Sequence, residues 1–321
     1  MGARPKLLVT RRIFPEVLER LEAHFEVASN QSDDEWSAED LRARVADRDA
    51  LFVVASDRVD AALLDAAPKL RIVSTGSVGY NHIDLAACSA RGIVVGNTPD
   101  VLTEATADMA WTLLMAAARR VSESERWLRD GQWKRWAFEQ FLGADLFRST
   151  LGIIGMGRIG SAVARRARGF EMTVLYSNRS RAANEAELGA QFVPRDELLA
   201  RADHVVLVLP YSQATHHTIG ERELALMKPT ATLVNIARGG IVDDAALARA
   251  LKDGRIAAAG LDVYENEPAL NPALLDAPGV VLTPHIGSAT RSSRVGMAML
   301  AADNLIAFVE GRPLPAPVRV G

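Results

Sequence analysis

One stretch near the middle of the 321-residue chain, Leu151-Gly-Ile-Ile-Gly155-Met-Gly157-Arg-Ile-Gly160, constrains the fold more than any other. Short apolar residues lead into Gly-x-Gly-x-x-Gly, and apolar positions then recur at Ile159, Ala162, Val163 and Ala167. The pattern reads as strand, tight turn and helix. Gly155 lets the chain turn sharply. Gly157 removes a side chain where a pyrophosphate must approach the backbone, and Gly160 lets helix and strand pack closely. The N–H groups that open the helix, from Arg158 and Ile159, then face the phosphates. Such a glycine triplet alone is weak evidence; between a strand and a helix it indicates dinucleotide binding.

The rest of the composition narrows the function by exclusion. Hydrophobic content of 49%, charged content of 24% and a net charge of −3 suit a soluble globular protein and give no reason to expect nucleic acid or another polyanion as partner. The single Cys88 excludes an internal disulfide and a cysteine-built metal site, and it is expected to be a small buried helix residue. Arg4 and Lys6 precede only a short strand-like run, not a signal peptide. The most apolar helical run, Met109 to Ala118, is too short to span a bilayer and ends at Arg119-Arg120. The expected location is cytoplasmic, with no membrane partner and no metal.

Along the chain, residues 1–99 alternate strand and helix. Strands are expected at Lys6–Val9, Phe25–Ala28, Leu51–Ala55, Arg71–Ser74 and Ile93–Val95, with helices between them. Ser37 is a candidate N-cap with Asp40 as its capping-box partner. Two helical stretches follow, 102–120 and 121–130. The first is apolar over much of its surface, as expected of a helix buried between domains. Trp133, Trp136, Phe138, Phe141 and Phe147 then fall in an irregular segment, and so many large aromatics must bury against something. A dimer arm over about 120–147 is the expectation. From Leu151 a second series is expected, with six strands and the glycine turn on the first. A last helix, 291–310, is too long for that sheet and is expected to cross back to the first domain.

The fold class is therefore α/β, with two doubly wound parallel-sheet domains and a cleft between them. The expected division is a discontinuous substrate-binding domain, 1–99 with 287–321, and a dinucleotide-binding Rossmann domain, 100–286.

Which dinucleotide is bound should be written at the end of the second strand of that domain. An NAD-specific site places an acid there, about 20 residues after the glycines. The chain instead reads Asn178-Arg179-Ser180-Arg181. Asn cannot repel a 2′-phosphate, and a guanidinium pairs with one. The expected cofactor is NADP(H).

Three polar residues follow late strands and face the same sheet edge: Arg238 in Asn-Ile-Ala-Arg-Gly-Gly, Glu267 in Glu-Asn-Glu-Pro, and His285 in Thr-Pro-His-Ile-Gly. Singly each has a bland reading as a surface arginine, a loop acid or a capping histidine; together on one edge they suggest chemistry. With these motifs and their spacing, the chain resembles the D-isomer-specific 2-hydroxyacid dehydrogenase family over essentially its full length. Val101-Leu-Thr-Glu-Ala-Thr-Ala-Asp, Ser77-Val-Gly-Tyr-Asn-His and His285-Ile-Gly-Ser-Ala-Thr are most similar to the branch of glyoxylate/hydroxypyruvate and 2-ketogluconate reductases.

The resemblance implies a flavodoxin-like substrate domain and NADPH-dependent reduction of a small 2-oxoacid to the D-2-hydroxyacid. It implies His285 as proton donor, Glu267 as its partner, and Arg238 on the substrate carboxylate and carbonyl. It further implies substrate contacts from the backbone of Val78 and Gly79. Cofactor contacts are implied at Leu209, Pro210, Ile236, Ala237, Arg238, Asp262, His285 and Gly287. A homodimer is implied, with Trp136 reaching the partner's active site. The rival readings on this fold are a non-catalytic dinucleotide-sensing corepressor and a phosphite-type dehydrogenase.

Overall fold

Two parallel sheets organise the chain, and the computed structural model describes residues 4–318 of it. The first sheet holds β1 (Lys6–Val9), β2 (Glu26–Ser29), β3 (Ala50–Val53), β4 (Ile72–Thr75) and β5 (Val94–Gly96), in the order β2-β1-β3-β4-β5. That is the flavodoxin-like order of a doubly wound sheet. Every pairing is parallel, with Leu7 opposite both Val27 and Ala50. The inner strands β1, β3 and β4 are buried almost throughout because both faces are covered, while the edge strand β2 is not. Leu8, Leu51, Val53 and Val73 point into one core layer, and Leu7, Val9, Phe52 and Ile72 into the other. This is the two-residue alternation of a pleated strand.

The helix Arg291–Val309 belongs to this first unit, packing on β4 and on the helix Pro15–Glu22 through Ala298, Ala301, Ala302 and Leu305. Its buried Asn304 donates to the Asn97 carbonyl at 3.1 Å and accepts from the Ala316 N–H at 2.9 Å. A side chain on Gly96 would collide with Asn304, so a glycine is required there. Ser37 and Asp40 form the reciprocal capping box before Ala38–Val45. Cys88 is buried, and burial pushes its thiol up to about 11.

The second sheet holds β6 (Thr150–Ile154), β7 (Thr173–Ser177), β8 (Ala190–Phe192), β9 (His204–Leu207), β10 (Thr232–Asn235), β11 (Ala258–Leu261) and β12 (Val280–Leu282). The order is β12-β11-β10-β9-β6-β7-β8, all parallel. It has seven strands where six are expected. The addition is β8, a three-residue edge strand registered only on β7. Ala-Gln-Phe is too short to show a strand period, so its strand state comes from the neighbour it pairs with. The order reverses between β9 and β6, which makes the carboxyl ends of those two strands the switch point of the sheet.

The long helix Thr103–Ala118 is expected to lie between domains. Within this second unit it packs against β10, β11 and the helix Arg158–Ala167. Trp111 donates to the Val163 carbonyl at 3.1 Å and stacks on Phe170 with ring centroids 4.7 Å apart. Gly260 of β11 lets the backbone of Leu113 approach closely.

The two compact units change over at Leu102/Thr103 and again at Ala289/Thr290. Between the helix Val121–Arg129 and β6 runs a segment without helix or strand, in which Trp136 is 66% and Phe138 85% exposed. Among the described residues, no helix is long and apolar enough to cross a membrane.

Candidate active site

The glycine turn sits at the switch point, after β6. Gly155 has φ +106°, in the region glycine alone enters freely. A Cβ on Gly155 would also strike the backbone of Val208–Leu209, and one on Gly160 would lie 2.2 Å from the Gly155 carbonyl oxygen. Both glycines are thus demanded by packing. Gly157 differs: a Cβ there would meet nothing within 4 Å. The space it leaves is open, as an incoming ligand requires. Gly157 is also the N-cap of the helix Arg158–Ala167 and has no side chain to occupy the first-turn N–H groups. The turn packs against Leu209, and Leu209-Pro210 continue from it along the same edge.

Asn178, the residue after β7, has a role the sequence does not announce. Its Oδ1 accepts from the Met156 N–H at 2.7 Å, so the side chain clamps the middle of the glycine turn. Arg181 is engaged with Glu185 at 2.7 Å and lies over Phe192. Arg179 and Ser180 are exposed, and Arg179 makes no hydrogen bond or ion pair among the described residues.

The three polar residues of the late strands come from three successive turns. Arg238 follows β10 in a turn held by Asn235, whose Oδ1 accepts from Ala237 N–H at 3.1 Å and whose Nδ2 donates to the Arg238 carbonyl at 3.2 Å. The next residue must be glycine, because a Cβ on Gly239 would fall 1.6 Å from the Tyr264 carbonyl oxygen. This close approach brings the Arg238 turn against the segment that carries Glu267. The guanidinium is half-buried and donates to no acceptor among the described residues. Burial lowers it from its ordinary value, and the charge of Glu267 works the other way. An arginine nonetheless stays charged and keeps its planar fork of donors.

Glu267 is held at both oxygens. Oε1 accepts from the Tyr264 N–H at 2.8 Å, and Oε2 lies 2.7 Å from His285 Nδ1. Burial works to raise this carboxyl. It is outweighed by the hydrogen bond and charge of His285, the Tyr264 N–H and the Arg238 charge, so Glu267 sits below its ordinary value. An ionised carboxylate only accepts, so His285 donates from Nδ1 and keeps Nε2 for other business.

His285 itself has φ +53°, unusual for a residue with a side chain. Asp262 holds it there. The Asp262 carbonyl accepts from His285 N–H at 3.0 Å, Oδ1 accepts from Ile286 N–H at 2.8 Å, and Oδ2 from Gly287 N–H at 2.7 Å. Thr283 Oγ1 also donates to Oδ1, at 2.6 Å. Asp262 is 1% exposed, with its carboxylate spent on this turn. Gly287 packs on that carboxylate and on Ile236. Asp262 and Gly287, both expected to contact the cofactor, also make this clasp on the histidine turn.

In the first unit, the loop after β4 has its own order. Ser77 Oγ donates to the Gly79 carbonyl at 2.6 Å, and Asn97 Nδ2 donates to the Val78 carbonyl at 2.8 Å. The carbonyls are fixed, while the N–H groups of Val78 and Gly79 donate to nothing among the described residues. Consecutive N–H groups left this way suit an anion.

A family model described as D-isomer specific 2-hydroxyacid dehydrogenase, NAD binding domain, matches residues 111–287. A glyoxylate reductase of Thermococcus onnurineus (strain NA1) is 51% identical over 320 residues, covering 98% of this chain and 96% of the relative. Among solved structures, an NADPH-dependent glyoxylate/hydroxypyruvate reductase from Sinorhizobium meliloti, in complex with NADP and malonate, is 38% identical with a TM-score of 0.87, over 98% of this chain and 97% of that one. A glyoxylate reductase from Paecilomyes thermophila is 35% identical with a TM-score of 0.89, over 99% of each chain.

Proposed function

The chain belongs to the D-isomer-specific 2-hydroxyacid dehydrogenase family, and on that premise we propose that it reduces a small 2-oxoacid, such as glyoxylate or hydroxypyruvate, to the D-2-hydroxyacid with NADPH. The observation that carries this reading is the His285–Glu267 pair at 2.7 Å on the same sheet edge as Arg238 and the glycine turn.

The residues present fit a dinucleotide. Gly157 leaves open space, and the helix it caps presents N–H groups and the positive end of its dipole, from Arg158 and Ile159 onward, to a pyrophosphate. Leu209, Pro210, Ile236 and Ala237 supply an apolar and backbone edge for the rings. When bound, the reduced nicotinamide supplies a hydride.

Arg238 binds the 2-oxoacid carboxylate and polarises its C2 carbonyl. The N–H groups of Val78 and Gly79 take further carboxylate contacts. His285 donates the Nε2 proton to the carbonyl oxygen as C2 gains hydride, and the neutral imidazole is then reprotonated from water. Glu267 fixes the ring and stabilises the imidazolium before transfer.

NADPH is preferred over NADH in this reading. No acid ends β7 to repel a 2′-phosphate, and the exposed, unengaged Arg179, beside Ser180, can pair with one. The Sinorhizobium meliloti relative, NADPH-dependent by its description, supports the same preference. We further infer a homodimer through the segment of 120–147. Its Trp133, Trp136, Phe138, Leu142 and Phe147 are exposed apolar side chains of the kind that mark an interface, and Trp136 is the candidate to reach the partner's site.

The test is NADPH oxidation with a panel of glyoxylate, hydroxypyruvate, 2-ketogluconate and pyruvate. Turnover with at least one is expected. Tight NADPH binding without turnover of any would favour a dinucleotide sensor instead.

A further inference from the structure

Outside the catalytic cluster, the described residues hold one group of histidine and acid side chains with ligand spacing. We propose that His216, His217 and Glu265 form a binding site for a divalent transition-metal ion of the zinc class. One ligand atom from each, a ring nitrogen from both histidines and a carboxylate oxygen, lies within 4.8 Å of the other two.

The two imidazoles are stacked, with centroids 3.8 Å apart and planes 22° from parallel. His217 Nε2 is 2.5 Å from Glu265 Oε1.

Each ligand is anchored from behind. The His217 N–H donates to the Gly240 carbonyl at 2.7 Å, in the turn that follows Arg238. The Glu265 N–H donates to Asp244 Oδ2 at 3.0 Å. The Tyr211 hydroxyl lies 3.2 Å from His216 Nδ1, an outer partner of the kind that fixes a ligand ring. The Tyr211 ring also packs edge-on to His216. The side chains of both histidines are exposed, so an ion reaches them from solvent and completes its coordination with water.

Two nitrogens and one oxygen suit zinc and its neighbours, whereas magnesium and calcium take oxygen ligands. A bound ion would join the His216-His217 turn to the segment Tyr264–Glu267. It would therefore sit two residues along the chain from Glu267 without using it.

Equilibrium dialysis with zinc chloride, in excess magnesium, tests the proposal. His285 and Glu267 form a second imidazole–carboxylate pair, so the comparison is made in a His285→Asn background. One zinc per chain is expected there, and adding His216→Ala with His217→Ala should weaken binding by at least about tenfold. Cobalt(II) in place of zinc should give visible absorption of a low-coordinate site, lost in the same variants. Glu265→Gln, which preserves shape, should weaken zinc binding too and keeps the test valid if the double alanine variant fails to fold. Unchanged zinc affinity after loss of both histidines or of the Glu265 charge would overturn the site. So would absence of zinc binding in the wild type at submillimolar metal.

Discussion

Asp262 holds the turn of His285 with both carboxylate oxygens and its own carbonyl, accepting from three consecutive N–H groups of His285, Ile286 and Gly287 at 2.7–3.0 Å. The backbone at His285 is left-handed, φ +53°, and would not hold this conformation unaided. Asp262→Ala orphans the Ile286 and Gly287 N–H groups, and the Gly287 one is buried, which costs about 1–3 kcal/mol. It should lower the unfolding temperature and cut kcat by more than the KM for substrate changes. Asp262→Asn, which retains one good acceptor, should fall between. Thermal unfolding and steady-state kinetics of the two variants check this; wild-type kcat in a folded Asp262→Ala would refute the positioning role.

Glu267 supplies a negative charge 2.7 Å from His285 Nδ1, and its own carboxyl is held below the ordinary value by that contact among others, against the opposing effect of burial. The sign follows. The pairing favours ionised Glu267 with imidazolium, so Glu267→Gln removes support for the protonated ring that donates in reduction. The alkaline side of the kcat profile for reduction should move to lower pH. A profile that keeps its alkaline limb, measured from about pH 5 to 9, would contradict the pairing.

Cofactor choice separates two neighbouring residues. Arg179→Ala should raise the KM for NADPH much more than the KM for NADH, since it removes only a phosphate partner. Asn178→Asp preserves an acceptor for the Met156 N–H but adds a charge that repels a 2′-phosphate. It should shift kcat/KM toward NADH. Asn178→Ala, by releasing the glycine turn, should raise KM for both cofactors alike. Equal kcat/KM with NADPH and NADH in the wild type would remove the basis of this account.

Asp244 is 2% exposed, and burial pushes its carboxyl from 3.8 to about 6. Its folded-state value lies above the unfolded one, so the folded protein holds the proton more tightly. The cost of this group is absent below pH 3.8 and fully present above pH 6. Stability from this residue therefore falls as pH rises through that window, by about 3 kcal/mol at most. Asp244→Asn should gain in unfolding temperature relative to wild type as the pH rises from 3.8 to about 6, the range set by the shift. A difference independent of pH would exclude the buried-carboxylate explanation.

Particular residues show what could be read from the chain before its fold. The parallel sheets followed from apolar strands separated by amphipathic helices, and the glycine turn marked the start of the second series. Local signals worked where the physics is local, as in the Ser37–Asp40 capping box. They failed at β8, whose three residues become a strand only by pairing with β7. They also failed for Gly239, because the Tyr264 carbonyl that excludes a side chain there lies on another strand's loop. Arg238, Glu267 and His285 could be picked by motif and strand end. The supporting shell could not, since Asn178 on the Met156 N–H and Asp262 on the histidine turn use polar groups that a sequence offers equally to solvent, ligand or backbone.

Turnover of His285→Asn with glyoxylate and NADPH, measured beside NADPH binding, tests the central claim most directly. The proton from Nε2 is lost while the glycine turn is untouched. The variant should lose about 10² or more in kcat with NADPH affinity little changed. Near-wild-type kcat in the variant would remove His285 from the chemistry.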